Sequence, residues 1–376
     1  MNAESDQFED WMSHGVEPMV TWSEPERYDP NDPSDRREMY NRVVSGGARV
    51  RRKVGEVADD LFEMTYPDQK GDQRARERFV ESIAKDGDRY GKWHYFPWSH
   101  RLVQYPDAEE HRRLLTFRNR ELITEDELHT ISRATTAHIG LSVGSHIVAQ
   151  VVHMGLGRKV ILADPDVISV PNLNRIHAGV PEVGMRKTDV AGIRLSELNP
   201  YVEQIHLPEG VRPQDVTTFY MHRPDLVFEE VDHLPTKILM RKLAYRAGAA
   251  LIMATDTGDL SMVDVERYDL GDISPFLGVL TTAELDEIEQ RSPTAAQTVG
   301  LIERLIGREN ISPRLALSLG RIGVTLGGIA QLGTTASAGA AYAAVAGRDI
   351  LLGRGPVTGR YKLSPQATFG LRDPSV

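Results

Sequence analysis

The chain contains no cysteine among its 376 residues. Disulfide bonds, zinc sites built from cysteine pairs and covalent intermediates on a cysteine sulfur are therefore excluded. A long, strongly apolar run is also missing, because the most apolar stretch, 315–346, is interrupted by Arg321 and Gln331 and is rich in Gly, Ala, Ser and Thr. This composition argues against a membrane span and favours close packing of helices.

The chain has fewer basic than acidic residues, 44 Lys and Arg against 54 Asp and Glu, which gives a net charge of -10. Such a balance gives no electrostatic reason to expect nucleic acid or an anionic membrane as a partner. Residues 1–23 also lack the cationic start and apolar stretch of a secretory signal. We therefore expect a cytoplasmic protein that binds neither nucleic acid nor membranes.

Composition divides the chain near residue 110. Residues 1–40 are rich in Asp, Glu, Pro and Ser, which predicts a loosely docked arm. Apolar residues then recur at helical spacing, up to an aromatic segment, Trp93–Trp98, that Pro97 keeps from being helical. We interpret 1–110 as an arm with a helical extension whose aromatic segment is a hydrophobic plug on the main domain, 111–376, which ends in helices rich in small residues.

After residue 135, short apolar runs alternate with amphipathic helices. This alternation predicts an α/β fold of Rossmann-like type, a mostly parallel sheet flanked by helices. Helical spacing over 145–154, followed by Gly155 and Gly157, places a helix between the first two strands. Five strands are predicted, at 136–139, 159–163, 202–207, 225–228 and 250–254.

A small-residue turn, Gly-Leu-Ser-Val-Gly-Ser, joins the first predicted strand to its helix. In such a turn backbone N–H groups and the helix dipole face an anion, so a nucleotide phosphate fits there. The next strand ends in Asp164, where a dinucleotide-binding fold places the acid that binds ribose. Without a nucleotide, the small residues of the turn would serve close packing, and Asp164 would only cap a turn at the strand end. The candidate nucleotide-binding residues of the turn are Gly140, Ser142, Gly144 and Ser145.

Three further motifs follow in order. Asp164 and Asp166 close the second strand, Asn-Leu-Asn-Arg occupies 172–175, and Gly-Met-Arg-Lys at 184–187 opens a helix that Asn-Pro ends at 199–200. In this order and spacing the chain resembles the ThiF/MoeB family, ATP-using enzymes that adenylate carboxylates and are related to ubiquitin activators. The resemblance covers about 93–360. It looks closest to a bacterial subgroup of ThiF-like domains, some of which are fused to nitroreductase-like domains.

The resemblance implies a role for each matching residue. Asp164 would bind ribose with Asp166 beside it, and the triphosphate would be held by Asn172, Arg175 and Lys187. Strand 225–232 resembles the family's strand that delivers a magnesium ligand, which makes Asp232 the metal candidate. Arg118 resembles the arginine that reaches the phosphates of a neighbouring subunit. The alternatives are a solvated Lys187 and a surface ion-pair network around Arg118.

Glu229 and Glu230 precede the metal candidate on the same strand. They are either helpers of the site or solvated acids at the strand edge. The resemblance also implies ATP and Mg²⁺ as cofactors, a homodimer, and a carboxylate substrate that is a protein or peptide C-terminus or a small molecule. Because cysteine is absent, we expect no zinc. For the same reason we expect the acyl-adenylate to pass its acyl group to an external nucleophile.

The turn departs from the family pattern, since it is one residue shorter and Ser142 stands where glycine is common. An alternative is therefore a non-catalytic scaffold protein, which either binds a nucleotide or binds no ligand. Gly-x-Ser-x-Gly also fits the nucleophile elbow of a serine hydrolase, with Ser142 attacking. Its histidine would be one of His177, His206, His222 and His233. An NAD-dependent oxidoreductase would use the turn and Asp164 but would leave Arg175, Lys187 and Asp232 without a role.

Overall fold

The computed structural model describes residues 19–271, 274–291 and 293–370. Residues 26–105 form a four-stranded sheet with the order β1-β3-β4-β2, in which β2 alone pairs in parallel. Its strands are β1 (Glu26–Tyr28), β2 (Arg49–Arg52), β3 (Lys92–Phe96) and β4 (Arg101–Tyr105). The chain between β1 and β3 also forms the helices α1 (Pro33–Val44), α2 (Val54–Thr65) and α3 (Gln73–Ala84).

The aromatic segment belongs mainly to this sheet. Trp93 and Tyr95 are buried on one face of β3 and pack with Tyr28 in the core of the N-terminal sheet. The predicted plug on the main domain is therefore wrong for these two residues, because alternate side chains of a strand point to opposite faces. His94 and Trp98 do contact the main domain, through Tyr201 Oη at 3.0 Å and Glu197 Oε1 at 3.1 Å.

The main domain is built on a seven-stranded sheet, which confirms the predicted α/β class. Its order is β11-β10-β9-β8-β5-β6-β7; β5 to β9 are parallel and the other two strands pair antiparallel. Each of the five predicted strands is present, with ends that differ by up to three residues. The strands are β5 (Thr135–Ile139), β6 (Lys159–Ala163), β7 (Glu203–Leu207), β8 (Leu226–Glu229), β9 (Ala250–Thr257), β10 (Leu260–Glu266) and β11 (Gly359–Leu363).

Helices cover both faces of this sheet, so the inner strands β5, β6 and β8 are almost completely buried. The edge strands β7 and β11 are partly exposed. One face packs against the long C-terminal helix and the helices that follow β5 and β6, and the other against the helices that precede and follow β8. The helices of the main domain are α4 (Ala108–Leu115), α5 (Glu125–Ile131), α6 (Val143–His153), α7 (Lys187–Leu198), α8 (Val216–His222), α9 (Leu234–Ala247), α10 (Thr282–Gln290), α11 (Ala295–Ile306), α12 (Pro313–Leu319), α13 (Gly333–Leu351) and α14 (Pro365–Phe369).

Helix α13 lies close to the sheet because its buried face carries small residues as far as Gly347, and a large one, Ile350, only in the last turn. A Cβ atom at Gly347 would stand 2.8 Å from the Phe228 ring, and one at Gly339 would collide with the Ser261 hydroxyl. The small residues of this stretch are thus used for helix-to-sheet packing. In the part of the chain that the structure describes, no helix combines the length and apolarity needed to cross a membrane.

Candidate functional site

The glycine turn lies at the carboxyl ends of β5 and β6. Gly140 has φ +88°, and a Cβ atom there would lie 2.5 Å from the carbonyl oxygen of Glu230, so only glycine fits this close approach of two chains. The turn delivers Ser142 to the start of α6, where its side chain does not cap the helix. The first N–H groups of α6 therefore point to the edge of the sheet where an anion would bind.

Asp164 is buried directly beneath this turn. Its Oδ2 accepts a hydrogen bond of 2.6 Å from Leu141 N, and its Oδ1 accepts one of 2.8 Å from Asp166 N. Burial raises the pKa of Asp164, and the nearby Lys187 charge and the two backbone donors act in the opposite direction. The acid thus fixes the turn to the end of β6, whatever further contact it makes with ribose.

Lys187 is the first residue of α7 and is 8% exposed. Its Nζ lies 2.8 Å from Asp166 Oδ2 and 3.5 Å from Asp164 Oδ2, while its backbone N donates to Asp166 O at 3.0 Å. A solvated lysine at a helix start does not describe this residue. The ion pairs hold its ammonium group beside the glycine turn.

Arg175 is fixed from several sides. Its Nε donates to Ser142 Oγ at 3.2 Å, its Nη1 donates to Asn174 Oδ1 at 2.9 Å, and its carbonyl oxygen is bonded to His146 Nε2. Burial lowers the pKa of Arg175, and the carboxylates of Asp232 and Asp256 oppose that effect. A guanidinium group in this half-buried position is a strong, preorganised partner for phosphate.

Ser142, the departure from the family pattern, thus has a structural role as the acceptor for Arg175. The hydrolase alternative needs a histidine beside this hydroxyl, and within the described residues no hydrogen bond joins the two. Three of the candidate histidines bond elsewhere, His206 to Gln204, His222 to Lys159 and His233 to Thr236, and His177 packs on the ring of His146.

Glu229 and Glu230 are not solvated acids. Glu229 is fully buried and pairs with Lys237 at 2.9 Å and Arg241 at 2.9 Å. Burial alone would raise the pKa of Glu229, but these two cations outweigh it and hold the pKa below its usual range. Glu230 accepts a 2.6 Å bond from Ala254 N, and burial raises its pKa well above the ordinary value. Both residues hold the strand end that carries Asp232.

The remaining candidates lie at or beyond the edge of this group. Asp232 is exposed just after β8, and its charge acts on Arg175. Asn172 uses its side-chain oxygen to accept from Ser169 N at 3.0 Å, which caps the local turn. Arg118 is exposed beside Phe117, and among the described residues no hydrogen bond or ion pair joins it to the other candidates. Ser145 donates to Ser142 O at 2.8 Å, and Gly144 packs against the Glu230 side chain.

Two residues of the site were missed by the sequence interpretation. His146, on the buried face of α6, holds the Arg175 backbone, and Asp256 on β9 faces the Arg175 charge. A lone acid in the otherwise uncharged segment Ala250–Thr257 was the available signal for Asp256. No signal in the sequence distinguishes His146 from an ordinary core histidine.

A profile of the ThiF family matches residues 116–351. The chain is 32% identical to the uncharacterized protein MT1398 of Mycobacterium tuberculosis (strain CDC 1551 / Oshkosh) over 283 residues, which cover 75% of this chain and 39% of that protein. It is 30% identical to the tRNA threonylcarbamoyladenosine dehydratase of Bacillus subtilis (strain 168) over 159 residues, or 42% of this chain and 61% of the dehydratase. The chain thus spans less than two thirds of either relative.

Among solved structures, the crystal structure of the E. coli tRNA N6-threonylcarbamoyladenosine dehydratase matches with a TM-score of 0.46 and 18% identity. That match covers 64% of this chain and 95% of the E. coli chain. The crystal structure of E. coli MccB matches with a TM-score of 0.45 and 17% identity, over 64% of this chain and 61% of the MccB chain.

Proposed function

Because the chain belongs to the ThiF family, we propose that it is an enzyme that adenylates a carboxylate with ATP. The products of this step are an acyl-adenylate and pyrophosphate. An external nucleophile then receives the acyl group, since the chain has no cysteine to carry it. The carboxylate belongs to a protein or peptide C-terminus or to a small molecule.

One observation carries this proposal: two cations converge on the glycine turn, each held there by its own contacts. Lys187 Nζ is fixed 2.8 Å from Asp166, and Arg175 Nε is fixed 3.2 Å from Ser142. A dinucleotide site for NAD needs the turn and Asp164 but neither cation. A triphosphate, which develops further negative charge as pyrophosphate leaves, needs both.

The proposed step is an in-line displacement at the α-phosphate. A carboxylate oxygen forms a bond to phosphorus while the bond from phosphorus to the pyrophosphate oxygen breaks. Arg175 and Lys187 stabilise the charge that appears on the leaving oxygens, and the first N–H groups of α6 bind the phosphates. The protein therefore contributes mainly position and fixed charge.

Magnesium would be held by Asp232. Among the described residues no group of three or more His, Asp or Glu is arranged to hold a metal ion. A single exposed carboxylate fits Mg²⁺ nevertheless, because this ion commonly takes one or two protein carboxylates and completes its shell from nucleotide phosphates and water. Bound there, it would neutralise phosphate charge.

The assembly is part of the same proposal. We place the reaction in a homodimer in which Arg118, exposed and apart from the other candidates in one subunit, serves the phosphates of the other. Neither nucleic acid nor a membrane is proposed as a partner, in keeping with the net charge of -10.

ATP binding tests the proposal first. Calorimetry with Mg²⁺ should show micromolar ATP binding that Arg175→Ala and Lys187→Ala each weaken by about 10-fold to 100-fold, the worth of one charge-assisted hydrogen bond. NAD should not bind. Arg304→Ala and Lys242→Ala are matched controls, because each removes an exposed cation whose ion pair, with Glu284 or Glu289, involves none of the site residues.

Pyrophosphate exchange with a panel of carboxylates then tests the chemistry. Exchange that Arg175→Ala lowers strongly while the fold is kept would support the assigned roles. Near-normal exchange in the folded variant would refute them. A wild-type chain that binds no ATP would instead support the scaffold alternative.

A further inference from the structure

A buried carboxylate that the adenylation step does not use lies at the edge of the site. Asp256 stands near the end of β9, with both carboxylate oxygens buried and without a hydrogen-bond donor among the described residues. Two residues earlier on β9, Ala254 N donates to Glu230 at 2.6 Å, and the charge of Asp256 acts on Arg175, so Asp256 lies near the proposed phosphate contacts. Burial without a hydrogen-bond donor is unfavourable for a carboxylate, because it loses its hydration and gains no partner, so the position needs an explanation.

A second polar group shares the same place. Asp256 is directly opposite Ser261 in the antiparallel pairing of β9 and β10, and side chains of opposite residues lie on one face of the sheet. Ser261 is 1% exposed, and its hydroxyl also has no hydrogen-bond partner among the described residues. Ala254, two residues before Asp256 on the same face, lies under α13 at Gly339. An acceptor and a hydroxyl therefore share the sheet face on which α13 packs.

The charges around this position favour a cation. The negative charges of Asp232 and Asp256 both act on the Arg175 guanidinium group. That group already donates hydrogen bonds to Ser142, Asn174 and the carbonyl oxygen of Pro171, and none to Asp256. Burial raises the pKa of Asp256 to about 6, so the carboxylate is mostly ionised at neutral pH. A ligand that brings its own N–H donors and positive charge offsets the cost of burying this anion.

We propose that Asp256 binds a primary ammonium group of a substrate, next to the phosphate-binding Arg175. This inference rests on the proposed function, because it gives the adenylation site a second substrate group to recognise. The ammonium group comes from one of two sources. It is carried by the carboxylate substrate itself, or it belongs to a separate amine that later accepts the acyl group.

Binding of n-butylammonium chloride tests the proposal. The full chain is first saturated with α,β-methylene-ATP and Mg²⁺, and amine binding is then measured by ligand-observed NMR. Asp256→Asn should weaken amine binding by about tenfold or more. Because Asp256 also faces Arg175, the nucleotide affinity of each variant is measured first, and each variant is then saturated at its own nucleotide concentration. Asp259→Asn is the matched control, because Asp259 is an exposed acid of the adjoining hairpin, and n-butanol controls for the apolar chain. Thermal unfolding checks the fold, and Asp256→Ser replaces the Asn variant if that variant does not fold.

Two further arms identify the source. An ammonium group on the carboxylate substrate predicts that glycine, β-alanine or 4-aminobutyrate binds at least about tenfold more tightly than n-butylammonium. A separate amine predicts that saturating butyrate leaves n-butylammonium binding intact and that no amino acid gains affinity. The affinity gain of the amino acids, or the binding of n-butylammonium beside butyrate, supports a role for Asp256 only if Asp256→Asn abolishes that effect.

The outcomes separate this inference from the proposed function. Nucleotide binding without amine binding, or amine binding that Asp256→Asn leaves unchanged, overturns the inference and leaves the adenylation proposal standing. Absence of nucleotide binding in the wild type overturns both.

Discussion

Asp256 should also destabilise the folded chain at neutral pH. Burial raises its pKa from 3.8 to about 6, so the folded state holds its proton more tightly than the unfolded state does. For an acid with a raised pKa, the native state is favoured at low pH, and stability is lost as the pH rises from about 4 to about 6. Replacing Asp256 with Asn removes this loss, because the amide has the same shape and no charge to bury.

The size of the effect follows from the two pKa values. Their difference corresponds to about 3 kcal/mol in the free energy of unfolding. By the linkage relation, about 2 kcal/mol of this free energy of unfolding is lost between pH 4.5 and 7.5. Unmet hydrogen bonds of the buried amide add a constant cost to the variant, so the change with pH isolates the charge better than the absolute values do.

Urea unfolding of the wild type and Asp256→Asn at pH 4.5 and 7.5 measures this change. We expect the variant to gain about 2 kcal/mol relative to the wild type between the two pH values. Asp259→Asn should stay within about 0.5 kcal/mol of the wild type at both, as exposed substitutions do. A difference between variant and wild type that does not depend on pH would refute the argument that Asp256 is buried with an unpaired charge.

Three further predictions concern the framework of the site. Arg241→Met should lower the free energy of unfolding by about 3–5 kcal/mol, because it leaves Glu266 buried without its cation and Glu229 with Lys237 alone; urea unfolding measures this, with exposed Lys242→Met as the neutral control. Gly140→Ala should cost clearly more in thermal unfolding than Gly47→Ala, which has φ +67° but open space around it, and equal costs would contradict the close contact with Glu230. Ser142→Ala should weaken ATP binding about fivefold to tenfold and Ser142→Thr should restore it, since the hydroxyl is the part of Ser142 that holds Arg175 Nε; unchanged affinity in the Ala variant would rule this out.

The sequence predicted the elements whose signals are local. Helix α7 begins at Lys187 and is followed by Asn199, as the flanking Gly-x-x-Lys and Asn-Pro motifs indicated. The N-terminal sheet was not predicted, because its short β1 pairs with β3 and thus depends on contacts distant in the chain. Such pairing leaves no periodic signal in a strand of three residues.

Burial at the site was equally hard to predict. The sequence left Glu229 open between a helper of the site and a solvated acid. In the fold it is buried, and Lys237 and Arg241, four residues apart on α9, both face it. The role of Asp256 could be inferred only from the sheet order, in which β9 lies beside β8, the strand that ends near Asp232. Roles of this kind depend on which strands become neighbours, which one sequence does not show.

The first described residues of the chain lie along α7, the helix that begins with Lys187. The Trp22 indole stacks on His206 at 3.8 Å and donates to Ser196 Oγ at 3.1 Å. An imidazole in van der Waals contact alters the emission of an indole, and the chain has four tryptophans. With the other three changed to phenylalanine, the fluorescence lifetime of Trp22 becomes an optical reporter of whether this segment is seated on the helix that carries the phosphate-binding lysine.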